Sequence, residues 1–410
     1  MSPRPADVDL DDLAAPQFPA PVLPVLAAMG DAGAAVRLEP EALMEAAVAQ
    51  TGLDDFGDPS FVPRLEVLCT ALRTEAGLSP AGTAAQFGSL VGLLRSRLLI
   101  EDVVRRNPAV LDLRVERPII ICGLPRTGTT HLHNLMSADP ALRSLPYWES
   151  LEPLVAAGAP DDRRERTAQS VEFLNTAMPH FKRMHEMTVD HVHEEIQLLA
   201  IDFSTMLFET IAPMPTWRDY YLSQDQRPSY AYLVRVLKVL QWARGGDRWV
   251  LKSPQHIEQF PALYDTFPDA TFVVTHRDPV AVTVSIATLV AYGARLSLAS
   301  VDPPAIGRYW GARIETMLRA CVADRDVLPA DQSVDVRFDE FMADDVAMVE
   351  RIYGTAGQPF TAAARAAMDA FMASHPRGRH GGVRYDMGAV GLDADERRAA
   401  LAFYSARFGV

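Results

Sequence analysis

Residues 118–130 read PIIICGLPRTGTT, and this stretch decides the fold. It begins with a short β-branched run closed by glycine, which is typical of a buried strand. GLPRTGTT (123–130) follows directly, and the residues after it predict a helix over 130–136. A strand, a glycine-containing loop and a helix N-terminus in this order predict a site where backbone N–H groups and the helix dipole converge on one anion.

Three further strand-like runs follow at long intervals: WVLK (249–252), TFVVTH (271–276) and SVDVRF (333–338). Helical patterns lie between them, as at 256–267 and 280–290. Nearly continuous apolar strands separated by helices imply an α/β fold with a parallel sheet covered by helices on both faces. In such sheets ligands bind beyond the carboxyl ends of the strands.

The chain before the first strand has a different character. Residues 1–38 are rich in Pro, Ala and Asp with weak periodicity, which predicts an arm that is loosely packed or partly disordered. From 40 to 106 the apolar residues recur at helical spacing. We therefore divide the chain into an N-terminal arm and helical region (1–113) and an α/β domain (114–410).

The composition argues against several classes of protein. With 39 basic and 53 acidic residues the formal charge is -14, which opposes binding to nucleic acid and to anionic lipid headgroups. Three widely spaced cysteines suggest neither a disulfide framework nor a paired-thiol metal site. The acidic start does not resemble a signal peptide, and no stretch reaches the length of a membrane span, so we expect a cytoplasmic protein.

The loop at 123–130 matches the nucleotide-binding pattern G-x-x-x-x-G-K-[ST], except that Thr129 replaces the lysine. Gly128 allows close approach of the backbone to an oxyanion, and the hydroxyls of Thr129 and Thr130 can donate to it. Arg126 places a permanent cation inside the loop. An ordinary strand–turn–helix connection is the alternative, but the complete strand–loop–helix context favours anion binding.

GLPRTGTT resembles the 5′-phosphosulfate loop of the sulfotransferases that use 3′-phosphoadenosine 5′-phosphosulfate (PAPS), especially the bacterial branch with arginine in the loop. The resemblance covers roughly residues 114–395 and implies a P-loop-like fold similar to nucleotide kinases. It further implies transfer of a sulfuryl group to a small-molecule, lipid or glycan acceptor, with no metal. It assigns the phosphosulfate to Pro125, Arg126, Thr127, Gly128, Thr129 and Thr130.

The resemblance also implies a site for the 3′-phosphate of the donor. Arg277 follows the strand TFVVTH, and Ser285 lies eight residues later in the predicted helix, which is the spacing of the family's 3′-phosphate motif. In isolation, the Arg277-Asp278 pair could be a structural ion pair. In HPRGRHGGVRYD (375–386), the family pattern implies that Arg377, Gly378 and Arg379 close over the 3′-phosphate, whereas a solvated cationic loop explains them equally well.

Lys252 ends the strand WVLK and is one of three lysines in the chain. Related enzymes carry a lysine at this strand end, so the resemblance assigns Lys252 to stabilisation of the leaving group. An unpaired cation at the end of a buried strand would be costly unless an anion met it there. A solvated surface lysine is the alternative.

The acceptor must lose a proton, which requires a general base. The resemblance points to Glu149 in PYWES, although its distance along the chain from the loop is about two residues longer than the family spacing. A helix-start or substrate-wall role for Glu149 is the alternative. We predict Glu149 as the base.

HVHEE (191–195) supplies a second candidate, and we predict it to be helical together with the following IQLLAIDF. On a helix His191 and His193 point to different faces, which opposes a His-x-His metal site unless the segment is a strand. We keep His193 as a second candidate for the base or as a substrate contact.

Two other functions remain open at this stage. A P-loop-type kinase would need ATP and Mg²⁺, but the loop lacks its lysine and no strand end shows a convincing acidic residue for the metal. A non-catalytic nucleotide-binding protein would bind the nucleotide without turnover. The acceptor pocket is expected between 151 and 241, lined by Phe173, Phe181, Trp217, Tyr220 and Tyr221.

Overall fold

Four strands form one parallel sheet in the structure, a computed structural model that describes residues 4–410. They are β1 Ile119–Cys122, β2 Val250–Ser253, β3 Thr271–His276 and β4 Ser333–Arg337. Their order across the sheet is β2-β1-β3-β4, so β1 lies between β2 and β3. All four strand predictions are confirmed, and the first residues of β2 and β3, Val250 and Thr271, both pair with Ile119.

Helices cover both faces of this sheet. Ile120 and Cys122 pack on one face in a core shared with Leu237 and Ala287, whereas Ile119 and Ile121 pack on the other face. That second core contains side chains of the helices on the far side, including Leu132, Leu135, Val349 and Ile352. Side chains of successive residues in a strand point to opposite faces, so an uninterrupted apolar strand buries both. The predicted α/β fold with helices on both faces is confirmed.

The helices are distributed along the described chain as follows. Before β1 lie α1 Leu23–Ala34, α2 Pro40–Thr51, α3 Val62–Thr74 and α4 Pro80–Arg106. Between β1 and β2 lie α5 Thr129–Ser137, α6 Tyr147–Leu151, α7 Arg163–Ala177, α8 Phe181–Met184, α9 Ile196–Leu199, α10 Pro215–Ser223 and α11 Arg227–Arg244. After β2 come α12 Phe260–Thr266, α13 Pro279–Ala294, α14 Pro303–Asp324, α15 Phe338–Ala343, α16 Asp345–Ala356, α17 Ala362–Ser374 and α18 Ala394–Phe408.

The helix predicted over 256–267 is divided in two. A 3-10 turn spans Pro254–Glu258, and α12 begins at Phe260 with Pro261 in its first turn. Proline is tolerated there because the N–H that it lacks would have no partner within the helix. Among the described residues, no helix is both long and apolar enough to cross a membrane.

The N-terminal arm is anchored to the body, in contrast to the loose packing predicted from its composition. The carboxylate of Asp12 accepts two hydrogen bonds from Arg295, at 2.8 and 2.9 Å. Helix α1 also approaches α4 closely, because a Cβ atom on Gly33 would lie 1.8 Å from the carbonyl oxygen of Pro80. Residues 1–3 of the arm lie outside the described residues, and the domain boundary at 113 stays a prediction.

The helical region is also joined to the α/β part by a buried ion pair. Nη1 of Arg97, on α4, lies 3.0 Å from Oδ1 of Asp202, and both side chains are almost fully buried. Paired charges of this kind leave neither group uncompensated in the interior. The contact therefore favours one relative placement of the two regions.

A second buried ion network includes the turn that follows β2. Arg313, on α14, donates to Glu209 at 2.9 Å and to both oxygens of Glu258 at 2.6 Å. The hydroxyls of Tyr309 and Tyr221 donate to the same two carboxylates, at 2.7 and 3.2 Å. Burial raises the pKa of Glu209, and the charge of Arg313 opposes that rise. Because Glu258 ends the turn that follows β2, the network positions the carboxyl end of that strand.

Arg313→Met should lower the free energy of unfolding by about 3–5 kcal/mol, because two buried carboxylates would lose their cation. Denaturant titration followed by circular dichroism measures this change. Arg319 lies on the same helix in an exposed pair with Glu315 at 2.7 Å, so Arg319→Met should change stability by no more than about 0.5 kcal/mol. Equal losses of unfolding free energy in the two variants would contradict the claim that the buried network stabilises the fold more than an exposed ion pair does.

Candidate active site

A cavity of about 1110 Å³ opens at the carboxyl ends of all four strands. Its wall includes Arg126 after β1, Pro254 after β2, Arg277 after β3 and Phe338 after β4. This is the edge at which parallel sheets bind ligands. The cavity therefore lies where the sequence predicted a site.

The loop between β1 and α5 forms one side of this cavity. Helix α5 begins at Thr129, one residue earlier than predicted, and Gly128 precedes it with a φ of 88°. Gly123 must also be glycine, because a Cβ atom there would lie 1.9 Å from the hydroxyl oxygen of Thr275. Arg126 has a φ of 72°, which is uncommon for a residue with a side chain and is typical of functional loops.

The predicted loop residues do not all face the cavity. Pro125, Arg126, Gly128, Thr129 and Thr130 line it. Thr127 is buried instead, and its hydroxyl bonds to the carbonyl oxygen of Leu124 and to the hydroxyl of Thr275, both at 2.7 Å. Thr127 thus ties the loop to the end of β3. The free N–H groups at the start of α5 belong to residues that line the cavity.

Arg126, Arg277 and Ser285 meet at the carboxyl end of β3. Nε of Arg126 donates to Oγ of Ser285 at 3.1 Å. Nη1 of Arg277 donates to the carbonyl oxygen of Arg126 at 2.6 Å, across 151 residues of sequence. The structure therefore brings together the two basic sites that the sequence predicted separately.

No carboxylate pairs with either arginine among residues 4–410. The guanidinium of Arg277 lies over the ring of Phe338 at 4.1 Å. Burial lowers the pKa of Arg277, and the like charge of Arg126 lowers it further. Two cations that face a cavity without a counter-charge form an attractive site for an anion.

The C-terminal basic loop also reaches the cavity, but its arginines have acidic partners. Arg377 and Arg379 line the cavity with Gly378, which has a φ of 70°. Arg377 pairs with Asp345 at 2.9 Å, and Arg379 pairs with Glu186 at 2.5 Å. Both arginines therefore lie at the cavity and are neutralised there by carboxylates.

Residues of the N-terminal arm hold the same loop from outside. The N–H of Val8 donates to the carbonyl oxygen of Gly382 at 3.1 Å, and the N–H of Arg384 donates to the carbonyl oxygen of Val8 at 2.9 Å. A side-chain oxygen of Asp7 accepts from the N–H of Gly382 at 2.8 Å. The arm thus supports a loop that lines the cavity, from the side away from it.

Lys252 is buried near the end of β2, but it is not the unpaired cation that the sequence argument assumed. Its ammonium donates to the carboxylate of Glu194, which lines the cavity. The neighbouring Glu195 accepts from the N–H of Lys252 at 2.7 Å and contacts Nε2 of His256, also at 2.7 Å. Glu194 is a site residue that the sequence analysis missed, although it lies in the same HVHEE motif.

The helical prediction for 191–195 is wrong, because α9 begins only at Ile196. The segment is extended and its hydrogen bonds go to the chain near Pro146. The N–H of His193 donates to the carbonyl oxygen of Leu145 at 2.7 Å, and the N–H of Tyr147 donates to that of His191 at 2.8 Å. In an extended segment residues two apart share a face, so His191 and His193 both line the cavity.

His185 joins these two histidines. Its ring lies 5.4 Å from that of His191, whose ring lies 5.8 Å from that of His193. Burial lowers the pKa of all three rings, that of His191 to about 4. The cation of Lys252 adds to this effect, so the three rings are uncharged at neutral pH.

Glu149 lies outside the residues that line the cavity. It is buried near the start of α6, where its oxygens accept from Arg143 at 3.2 and 3.3 Å and from Arg244 at 2.8 Å. Both carboxylate oxygens are therefore engaged with two cations. This placement opposes the prediction that Glu149 takes the acceptor proton.

The remaining wall of the cavity is largely apolar. Of the aromatic residues predicted to line the acceptor pocket, Phe181 does so, whereas Trp217 and Tyr221 are buried in the core. The apolar wall comes mainly from the segment around Leu207 and from α13 through residues such as Leu289. An acceptor with an apolar body would fit this part of the cavity.

Comparisons with known proteins agree with this arrangement. The sequence model of the sulfotransferase family matches residues 118–362. The chain is similar to the sulfotransferase STF1 of Mycobacterium tuberculosis H37Rv, with 28% identity, a TM-score of 0.77, and coverage of 88% of this chain and 98% of that one. It is also similar to the sulfotransferase STF9 of Mycobacterium avium, with 26% identity, a TM-score of 0.82, and coverage of 91% and 97%. No curated protein matches. The chain belongs to the sulfotransferase family.

Proposed function

We propose that the protein transfers the sulfuryl group of PAPS to a hydroxyl or amine of a small-molecule, lipid or glycan acceptor. The products are the sulfated acceptor and adenosine 3′,5′-bisphosphate (PAP). The observation that carries the proposal is the meeting of Arg126, Arg277 and Ser285, where two cations without a carboxylate partner face the cavity. A donor with charged groups at both its 5′ and 3′ positions matches a site built from two separate basic segments.

In this proposal the two ends of the donor meet different protein groups, and Arg126 lies between them because its Nε contacts Ser285 at 3.1 Å. The 5′-phosphosulfate lies against the loop after β1, where the N–H groups at the start of α5 and the charge of Arg126 oppose its negative charge. The 3′-phosphate lies at Arg277 and Ser285. The loop with Arg377, Gly378 and Arg379 closes the cavity over the nucleotide.

The transfer is an in-line displacement at sulfur. The acceptor oxygen forms a bond to sulfur while the bond between sulfur and the bridging phosphate oxygen breaks, and the electron pair of that bond stays on the phosphate. Lys252, which lies near the end of β2 behind Glu194 and not among the residues that line the cavity, opposes the charge that develops there. This transfer needs no metal ion to balance its atoms or charges.

Glu194 is the base that we propose for the acceptor proton. Its carboxylate lines the cavity, and its contact with Lys252 places a proton acceptor beside the cation that serves the leaving group. General bases act from within hydrogen-bond reach of the proton that they remove. His193 remains the second candidate, because its neutral ring also lines the cavity.

Arg126→Ala and Arg277→Ala should each weaken PAP binding about 10- to 100-fold, because each removes a charge-assisted contact of about 1.5–3 kcal/mol. Isothermal calorimetry with PAP measures this directly. Arg365→Ala is the matched control, since Arg365 is exposed on α17 and pairs with Asp369 at 3.1 Å. Unchanged PAP affinity in both site variants would contradict the two-phosphate assignment.

Calorimetry separates this function from a kinase, and a transfer assay separates it from a non-catalytic nucleotide-binding protein. A kinase would bind ATP with Mg²⁺ more tightly than PAP, whereas the proposed site should bind PAP without added metal. A non-catalytic nucleotide-binding protein would bind PAP yet transfer no label from radioactive PAPS in a broad screen of phenols, glycans, polyketides and lipids.

Glu194→Gln should lower turnover by about 10²–10⁴-fold while PAP affinity is retained, because the amide keeps the shape but cannot accept the proton. The measurement is the turnover of an acceptor found in that screen, alongside PAP calorimetry. Glu149→Gln is the matched control. It should keep near-normal turnover but lower the melting temperature, because Arg143 and Arg244 lose their buried carboxylate.

Two other outcomes would assign the general base to a residue other than Glu194. Loss of turnover in His193→Gln, with intact PAP affinity and an active Glu194→Gln, would make the histidine the base. Loss of turnover in Glu149→Gln with unchanged stability would restore the prediction made from the sequence.

A further inference from the structure

We propose that His185, His191 and His193 form a binding site for one divalent transition-metal ion of the zinc class, with an open coordination position that faces the cavity. The proposal goes beyond sulfuryl transfer and uses none of the residues assigned to the donor, and a His193 bound to the ion would not serve as the general base. It differs from the expectation of no metal, which came from the family resemblance. The helical prediction for HVHEE, which opposed a His-x-His site, does not hold for the extended segment.

The three rings are close enough to share one ion. One ring nitrogen from each histidine can be chosen so that all three lie within 4.8 Å of one another. Tetrahedral zinc with Zn–N distances of 2.0–2.1 Å needs ligand nitrogens about 3.4 Å apart. The side chains must therefore rotate to bring the three nitrogens to coordination distance.

The ring nitrogens of the three histidines have no protein hydrogen bond among residues 4–410. His193 is 8% exposed, and its Nδ1 is a buried atom without a partner. Buried polar atoms are nearly always hydrogen-bonded, because an unsatisfied one costs free energy. A metal ion at the triad would satisfy the lone pairs that the protein leaves free.

Two other buried histidines show what a structural histidine looks like in this protein. His256 contacts Glu195 and the hydroxyl of Tyr230, both at 2.7 Å. His276 contacts Asp335 at 2.8 Å and the hydroxyl of Tyr404 at 2.7 Å. Both nitrogens of each of these rings have a partner. The triad histidines differ from them in having none.

The backbone holds the three ligands in place. His191 and His193 lie on the extended segment whose hydrogen bonds to Leu145 and Tyr147 fix its position. His185 follows α8, and its N–H donates to the carbonyl oxygen of Phe181 at 2.8 Å. Ligands on ordered backbone favour a site of defined geometry.

The chemistry of the ligands selects the ion. Three neutral imidazoles suit zinc, nickel or copper, whereas magnesium and calcium require oxygen ligands. The nearby cation of Lys252 is balanced by Glu194, so it does not leave a bare positive charge beside the ion. Three protein ligands leave a fourth position for water or an oxygen of the acceptor, which is typical of open zinc sites.

Zinc titration of the untagged, full-length protein tests the proposal after treatment with a chelator. In competition with a chromogenic chelator, we expect one Zn²⁺ per chain. His185→Ala, His191→Ala and His193→Ala should each lower zinc affinity by at least about 100-fold, more than the 10- to 100-fold loss expected for an outer-shell partner. Co²⁺ should give the visible absorption bands of a four- or five-coordinate ion in the wild type and lose them in the variants.

His131→Ala is the matched control, because His131 lines the same cavity but pairs with Asp345 at 2.9 Å. It should leave zinc affinity unchanged. Absence of stoichiometric zinc binding, or undiminished binding in the His191→Ala and His193→Ala variants, would overturn the proposal. PAP affinity measured with chelator present reports separately on the donor site, and intact PAP binding in His185→Ala shows that the variant is folded.

Discussion

The parallel pairing of β1 with both β2 and β3 is the constraint on which the site depends. Through it Cys122 lies beside Ser253 on one side and Val274 on the other, so the ends of three strands meet at one edge. Arg126, Lys252 and Arg277 are far apart in sequence, yet each lies at or just beyond the carboxyl end of one of these strands. A change of register would separate them, and the apolar side chains that fill both faces of the sheet oppose such a change.

The basic residues at this edge of the sheet differ in whether a carboxylate partner neutralises them. Lys252, Arg377 and Arg379 have carboxylate partners, whereas Arg126 and Arg277 have none among the described residues. An unpaired cation is costly in a partly buried place, and the cost is offset when an anionic ligand arrives. The proposed donor site therefore contains the two arginines, Arg126 and Arg277, that no carboxylate among residues 4–410 neutralises. Lys252 is instead paired with Glu194.

Local patterns in the sequence predicted the sheet, and they pointed to the residues of the proposed donor site, because strand runs and loop motifs consist of consecutive residues. The sequence could not reveal that 191–195 is extended, since that depends on pairing with the chain near Pro146. Nor could it show that Glu149 meets Arg244, which lies 95 residues away. These long-range contacts pair Glu149 with two arginines away from the cavity, whereas the extended segment brings Glu194 to it. They also place three histidines together that a helix would have kept apart.

A crystal structure of the protein with PAP tests the central claim most directly. The account predicts the 5′-phosphate against the backbone N–H groups of 125–130 and the 3′-phosphate within hydrogen-bond distance of Arg277 and Ser285. Glu194 and Lys252 should face the place beyond the 5′-phosphate where sulfur would lie. PAP bound elsewhere, or bound in this cavity with its 3′-phosphate away from Arg277, would contradict the account.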